Sequence, residues 1–191
     1  DSIIPGLESG KFELGMSSFT INPERLQVVD VVSYFVAGTA WAVPVDNPSD
    51  VSPDSACGKK VAVQKATVQV DDITARSEEC LTGGESEITI DQYTLQTDAT
   101  TAVVSGKDDA MLADSPVVAY AVKQTGGQLE LVGDSYDDAP YGIAVPKDDP
   151  DFAAAVQGAP LAPQLGWIVL VLLGGALVAV PMWRAPQGLT A

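Results

Sequence analysis

Three hydroxyl side chains and an arginine lie within nine residues of one another in the segment SSFTINPER, which runs from Ser17 to Arg25. Asn22 is a good helix N-cap and Pro23 suits the first helical position, which places Arg25 in a first turn near the positive end of the helix dipole. A cation is mildly unfavourable there unless an anion is nearby. Arg25 is therefore either a surface arginine that points to solvent or, with the hydroxyls, a receiver of a small anionic ligand.

Two further segments carry groups that suit a charged ligand. The run VAVQKATVQVDD is predicted to be a strand, a tight loop and a helix start, where free backbone N–H groups near Thr67, Val68 and Gln69 would hold a carboxylate. The run DAMLADSP places Asp114 at a strand end, immediately before a Ser-Pro helix start. Each segment also has a purely structural interpretation, because Thr67 and Asp114 are both residue types that cap helices.

The three sites together are more informative than any one of them. An arginine and free N–H groups suit a carboxylate, whereas an aspartate suits an ammonium group. A zwitterion with both charges on one carbon needs this combination. A ligand carboxylate would also explain why Arg25 is tolerated at a helix start.

The elements that must position these groups alternate between strands and short helices. Strands are predicted at KKVAVQ, SEITID, DAMLAD and QLELVG, and helices at Val68–Arg76, Leu95–Ser105 and Val117–Gln124. This alternation is typical of a parallel, doubly wound α/β sheet, which binds ligands beyond the carboxyl ends of its strands. The loop DNPSDVSPDS marks a composition break before this regular part. Apolar strands are also predicted at TAWAVPV and YGIAVPK.

Composition excludes several classes of function. The 191 residues carry a net charge of −16 and no histidine. The few basic residues argue against nucleic-acid binding. The absence of histidine removes the commonest metal ligand and general base, which argues against a Ser-His hydrolase and a histidine-based zinc site. We expect no cofactor and no metal.

The two cysteines, Cys57 and Cys80, are not a CxxC pair. They form either a disulfide, which implies an oxidising compartment and would contribute roughly 3 kcal/mol, or two reduced buried thiols in a cytosolic protein. The uncharged residues 166–183, flanked by tryptophans and followed by Arg184, are predicted to be a membrane helix. The alternative is a buried helix.

The chain resembles the extracytoplasmic solute-binding proteins of polar amino-acid ABC transporters (family 3), from about Ile3 to Gln157. IIPGLESGKFELGMSSFTINPERLQVVDVVSYF, GKKVAVQKATVQ, GKDDAMLADSPVVAYAV and PYGIAVPKDDPDFAAAVQGA are each similar to a segment of that family. The resemblance implies a two-lobed periplasmic-binding-protein type II fold of class α/β, with a mainly parallel sheet flanked by helices in each lobe. It implies that residues 1–44 and 141–158 form lobe 1 and that 45–140 form lobe 2.

Carried over position by position, the resemblance assigns ligand roles. Arg25 would pair with the α-carboxylate of an amino acid, and Asp114 with its α-ammonium group. Ser18 and Thr20 would contact the ligand from lobe 1, and Thr67 and the Val68 amide would bind the carboxylate from lobe 2. Some actinobacterial-type members also have a cysteine pair like Cys57 and Cys80, which supports the disulfide.

The chain departs from the family pattern at several places. Ala66 replaces a common glycine, and Val68 replaces a second threonine. The first strand and helix of the family have no counterpart before Asp1, so we expect an N-terminally truncated, incomplete lobe 1. Residues 159–191 are unlike the family, as expected of a membrane anchor, a fusion junction or a frameshift.

The resemblance implies a bacterial extracytoplasmic protein, at the cell surface or in the periplasm and membrane-associated through its tail. It would bind a free amino acid by hinge closure and deliver it to an ABC-transporter permease. The alternatives are a membrane-tethered amino-acid sensor and a truncated product that binds nothing. Some relatives of this fold are dehydratases, but no nucleophile–base pair supports an enzyme here.

Overall fold

The structure is a computed structural model that describes residues 2–159. This part of the chain contains six helices and six strands, which alternate except that β3 follows β2 directly. The helices are α1 (Ile3–Glu8), α2 (Arg25–Val28), α3 (Val68–Thr82), α4 (Gln96–Val104), α5 (Ser115–Gln124) and α6 (Pro150–Gly158), and the strands are β1 (Gly15–Thr20), β2 (Val29–Pro44), β3 (Lys60–Gln64), β4 (Thr89–Tyr93), β5 (Ala110–Asp114) and β6 (Leu129–Pro146). The predicted α/β class is confirmed.

The six strands form one sheet in the order β1-β6-β2-β5-β3-β4. Pairing is parallel where β3 meets β4 and β5. It is antiparallel where β2 meets β5 and β6, and where β6 meets β1. The sheet is therefore mixed, and the predicted parallel arrangement is confined to the part with intervening helices. Those helices supply the crossover connections that parallel neighbours require.

Two long strands, β2 and β6, run antiparallel along most of their lengths. The sequence predicted separate apolar strands at the two ends of β6, but one strand runs through the polar residues between them, and within residues 133–138 Tyr136 pairs with Thr39. The register of β2 shifts on both sides of Gly38. A Cβ atom at Gly38 would lie 2.4 Å from the Asp138 and Ser135 side chains and 2.5 Å from the Tyr136 carbonyl oxygen. Glycine is therefore required for this close approach of the two strands.

The end of β2 shows why both faces of the sheet are covered. Trp41 and Val43 pack on one face, and Ala40 and Ala42 pack on the other, as the two-residue period of a strand dictates. The first face carries Ile73 of α3, and the second carries residues of α4 and α5. A smaller cluster joins α1 to the opposite end of the sheet through Leu7, Val29 and Ala144.

Cys57 and Cys80 form a disulfide, with their Cα atoms 5.6 Å apart. The predicted disulfide is thus confirmed. The bond ties the loop before β3 to α3, and both cysteines pack against the core that contains Trp41.

Two adjacent aspartates before β5 have opposite environments. Asp108 is buried, accepts a hydrogen bond from the Tyr93 hydroxyl at 2.6 Å, and has one oxygen without a partner among the described residues. Burial raises the pKa of Asp108 despite that hydrogen bond. For Asp109, burial is outweighed by hydrogen bonds from the Lys60 amide and the Ser49 hydroxyl, and the pKa is lowered.

Within residues 2–159, none of the helices is long and apolar enough to cross a membrane. The membrane helix was predicted at 166–183, which lies outside the described residues. Of the predicted tail at 159–191, only Ala159 is described.

Candidate ligand-binding site

A cavity of about 240 Å³ lies where β1, the β3–α3 loop and the end of β5 meet. Its lining includes every residue that the sequence assigned to the ligand, namely Ser18, Thr20, Arg25, Thr67, Val68 and Asp114. Segments far apart in sequence are thus brought together at one place. Contact between these residues and a ligand stays a prediction.

Arg25 begins a short helix that is capped as the sequence predicted. Its backbone N–H donates to Asn22 Oδ1 at 2.9 Å. Its guanidinium donates to the Thr20 carbonyl at 2.8 Å and reaches the Ala66 carbonyl at 3.5 Å, which bridges β1 and the β3–α3 loop. The group also lies over the Phe19 ring, 5.7 Å from its centroid.

The guanidinium of Arg25 has no carboxylate within ion-pair distance in the described part of the chain. Burial lowers the pKa of Arg25, and the charges of Asp114 and Glu24 only partly oppose this effect. Arginine stays protonated in proteins. A half-buried positive charge held by carbonyl groups is therefore available to an incoming carboxylate.

The start of α3 presents free backbone N–H groups to the cavity. Ala66 has a left-handed backbone (φ +60°), and Thr67 is extended, which turns the chain sharply into the helix. The Thr67 hydroxyl donates to the Gln64 carbonyl at 2.7 Å, and no side chain caps the first turn of α3. Thr67 occupies the N-cap position of α3, but its hydroxyl does not cap the helix. Among the described residues the N–H groups of Val68 and Gln69 have no acceptor and remain available to an anion, whereas the Val70 N–H donates to the Thr67 carbonyl at 3.2 Å.

Asp114 likewise does not use its carboxylate as a cap for α5. Instead Oδ1 accepts a hydrogen bond from Gln69 Nε2 at 2.9 Å. Burial raises the pKa of Asp114, while this hydrogen bond and the positive charge of Arg25 lower it. A carboxylate in such surroundings suits an ammonium group, which would add a second compensating charge.

Ser18 lies at an irregularity of β1. The register of β1 against β6 shifts between Met16 and Phe19, and Ser18 takes a left-handed backbone (φ +50°). This bulge turns the strand end toward the cavity. Thr20 ends the strand and contributes its carbonyl to Arg25. No described hydrogen bond yet occupies the Thr20 hydroxyl.

Several lining residues were missed by sequence reasoning. Tyr34 and Tyr141 face each other edge-on, with ring centroids 5.6 Å apart. Burial raises the pKa of Tyr141 to about 12, so its hydroxyl is neutral at ordinary pH. With Phe19 they form an aromatic wall. In the sequence both tyrosines lie in apolar strands. This position does not distinguish a residue that lines a cavity from one that is buried in the core.

Solved structures and curated proteins resemble this chain over most of its length. It is 41% identical over 159 residues to the arginine-binding protein ArgT of Corynebacterium glutamicum, which covers 81% of this chain and 52% of that protein. The structure of holo ArgBP from T. maritima has a TM-score of 0.71 at 28% identity, covering 82% of this chain and 66% of that one. An ancestral amino acid-binding protein, described as a precursor of cyclohexadienyl dehydratase, has a TM-score of 0.67 at 35% identity, with 82% and 65% covered.

The fold is that of the type II periplasmic-binding proteins, and the chain covers 66–72% of the two T. maritima ArgBP chains compared. Residues 1–160 match the bacterial extracellular solute-binding proteins, family 3, and the chain belongs to that family. This confirms the family that the sequence motifs indicated. The family and the relatives named above are binding proteins. The chain spans about half the length of the curated relatives it matches.

Proposed function

We propose that this chain forms the cleft of an extracytoplasmic amino-acid-binding protein and holds a free amino acid for delivery to an ABC-transporter permease. One observation carries the proposal: a single cavity contains a guanidinium without an ion-pair partner among the described residues, an uncapped helix N-terminus and a partly buried carboxylate. The first two are complementary to a carboxylate and the third to an ammonium group. Only a small zwitterion satisfies all three at once.

In this proposal the α-carboxylate lies between Arg25 and the first turn of α3, where it accepts from the guanidinium and the Val68 amide. Thr67 lies beside it. The α-ammonium group donates to Asp114, and Ser18 and Thr20 contact the ligand from β1. No cofactor or metal takes part. The protein binds the amino acid and does not convert it. The described cleft places no nucleophile beside a base, and the chain has no histidine.

We further propose that the two lobes meet along β2 and β6. The expected boundary of lobe 1 fell after Pro44, but Trp41 packs in one core cluster with Val61 and Leu112. This packing favours a crossing near Gly38, where the register of β2 shifts. Arg25 would then lie on one side of the crossing and Asp114 on the other. A ligand that contacts both would stabilise the closed arrangement.

L-arginine is the first ligand to test. The relative of 41% identity and the T. maritima structure described above are both arginine-binding proteins. The aromatic wall of Phe19, Tyr34 and Tyr141 offers ring faces to a planar guanidinium. The cavity volume suits one amino acid rather than a peptide.

A thermal-shift screen of the full chain against the common L-amino acids tests the proposal. An amino acid present at a hundred times its dissociation constant should stabilise the protein by about 2.7 kcal/mol and raise its Tm. Arg25→Ala and Asp114→Asn should reduce the shift by more than half at the same ligand concentration. Lys123→Ala and Asp98→Asn, which change the same charges outside the cavity, should keep it. If folded protein shows no shift with any amino acid, the proposal is refuted and the chain is a product that does not bind.

A further inference from the structure

A buried glutamine links the acidic end of the cavity to strand β2. Gln69 is 3% exposed, and its Nε2 donates to Asp114 Oδ1 at 2.9 Å and to Thr39 Oγ1 at 3.2 Å. Thr39 is itself 6% exposed and is the cross-strand neighbour of Asp114. An amide nitrogen has two hydrogens, so both are used by these two acceptors.

We propose that Gln69 is a positioning residue that holds the Asp114 carboxylate toward the cavity and fixes it to strand β2. This rests on the proposed function, in which Asp114 receives the ligand's ammonium group. A charge-assisted hydrogen bond to one carboxylate oxygen restricts the orientation of the group and leaves the other oxygen free. Gln69 engages Oδ1, so Oδ2 is the oxygen that remains for a ligand.

The position of Gln69 in α3 adds a second consequence. It directly follows Val68, whose backbone N–H lies in the first turn that faces the anion. In this proposal the backbone of the turn binds the ligand carboxylate, while the Gln69 side chain positions Asp114 for the ammonium group. The distance between the two binding groups is therefore set by one helix end. The hydrogen bond from Gln69 to Thr39 fixes that helix end to β2 beside Gly38.

The ionisable groups that face Asp114 make its titration simple to interpret. They are Arg25, Tyr34 and Tyr141. Burial raises the pKa of both tyrosines, and arginine stays protonated. Arg25 and the two tyrosines therefore keep their charge states over the pH range in which a carboxyl group titrates, so the charge change in this group of residues comes from Asp114. Donation by Gln69 favours the ionised form, so its removal should make Asp114 a weaker acid.

The experiment uses the full chain with Gln69→Leu, which keeps the approximate size and removes both donors, and with Gln69→Glu, which places a second carboxylate beside Asp114. Gln128→Leu is the matched control, because Gln128 is exposed and lies outside the cavity lining. The first readout needs no ligand: the Asp114 carboxyl carbon is titrated by NMR. Gln69→Leu should lower the acid dissociation constant of Asp114 roughly tenfold, and Gln69→Glu should lower it further. Gln128→Leu should leave the constant unchanged.

The second readout is calorimetry with L-arginine and with its α-hydroxy analogue, in which a hydroxyl replaces the ammonium group. Gln69→Leu should weaken arginine binding roughly tenfold while the analogue loses little. A general packing defect would weaken both ligands equally. An unchanged Asp114 titration, or an equal loss for both ligands, overturns the role of Gln69. If the wild-type chain binds no amino acid, the proposed function fails, and the NMR titration still decides whether Gln69 controls Asp114.

Discussion

The hydroxyl of Tyr136 should contribute strongly to stability in the region where β2 and β6 pair near Gly38. It accepts a hydrogen bond from Trp41 Nε1 at 2.8 Å and donates one to Asp72 Oδ2 at 2.6 Å. Asp72 in turn holds Arg76 at 2.8 Å, and the Arg76 guanidinium lies 4.8 Å from the Tyr136 ring centroid. The network joins both long strands to α3. Tyr136→Phe removes its central atom without changing the ring.

The magnitude follows from what each partner loses. Trp41 is fully buried, so no water can replace the lost acceptor, and an unsatisfied buried N–H costs about 1–3 kcal/mol. Asp72 loses the hydrogen bond from the Tyr136 hydroxyl but keeps its ion pair with Arg76. Because Asp72 is partly exposed, water largely replaces the lost hydrogen bond. We expect Tyr136→Phe to lower the free energy of unfolding by about 2 kcal/mol, which lowers the urea midpoint by about 1 M.

Urea denaturation followed by far-UV circular dichroism measures this change. Tyr120→Phe is the matched control, because Tyr120 is also half-buried but its hydroxyl has no hydrogen-bond partner among the described residues. Its midpoint should shift by less than about 0.3 M. If Tyr136→Phe behaves like Tyr120→Phe, the bond between the two strands and α3 contributes no stability and the reasoning is refuted.

The remaining predictions concern covalent, electrostatic and steric features of the fold. Replacing Cys57 and Cys80 by serine should cost about 3 kcal/mol in urea denaturation, because their separation of 23 residues closes a sizeable loop; a loss under about 1 kcal/mol would contradict the loop-entropy argument. Asp108→Asn should raise the Tm at pH 7 by about 2–4 °C and have little effect at pH 4, because a carboxyl whose folded pKa lies above its unfolded pKa destabilises the fold as pH rises. Asp109→Asn should lower the Tm at pH 7, and the difference should shrink as pH falls through its lowered folded pKa; equal responses of the two variants would refute the assigned environments. Gly38→Ala should cost about 2 kcal/mol or more in urea denaturation, because the added carbon meets β6, and a neutral result would show that the strands separate freely there.

Local signals in the sequence predicted much of this structure. The predicted cap at Asn22 is realised, since Asn22 Oδ1 accepts from the Arg25 N–H at 2.9 Å. Such caps depend on residues within one turn, so sequence alone contains them. The ends of β3 and β5 were also predicted, and these ends place Thr67 and Asp114 at the cavity.

Features that depend on distant segments were not predictable in the same way. The middle of β6 contains Gly133, Asp134 and Asp137, which are typical of a turn, yet the strand continues through them, because Tyr136 pairs with Thr39 and the residues on either side pair with β2. Gln69 is another example, since a glutamine near a helix start carries no signal until Thr39 and Asp114 are seen on its two sides. Tertiary context decided both cases.

Calorimetric titration with matched ligands tests the central claim most directly. The ligands are L-arginine, agmatine, which lacks the carboxylate, and 5-guanidinopentanoate, which lacks the ammonium group. Wild-type protein should prefer arginine over both. Arg25→Ala should remove the preference over agmatine alone, and Asp114→Asn the preference over 5-guanidinopentanoate alone, each by roughly 10–100-fold. The claim is contradicted if each variant weakens the binding of all three ligands equally, or if wild type binds the three equally well. Arg25 and Asp114 would then not bind the carboxylate and the ammonium group of an amino acid.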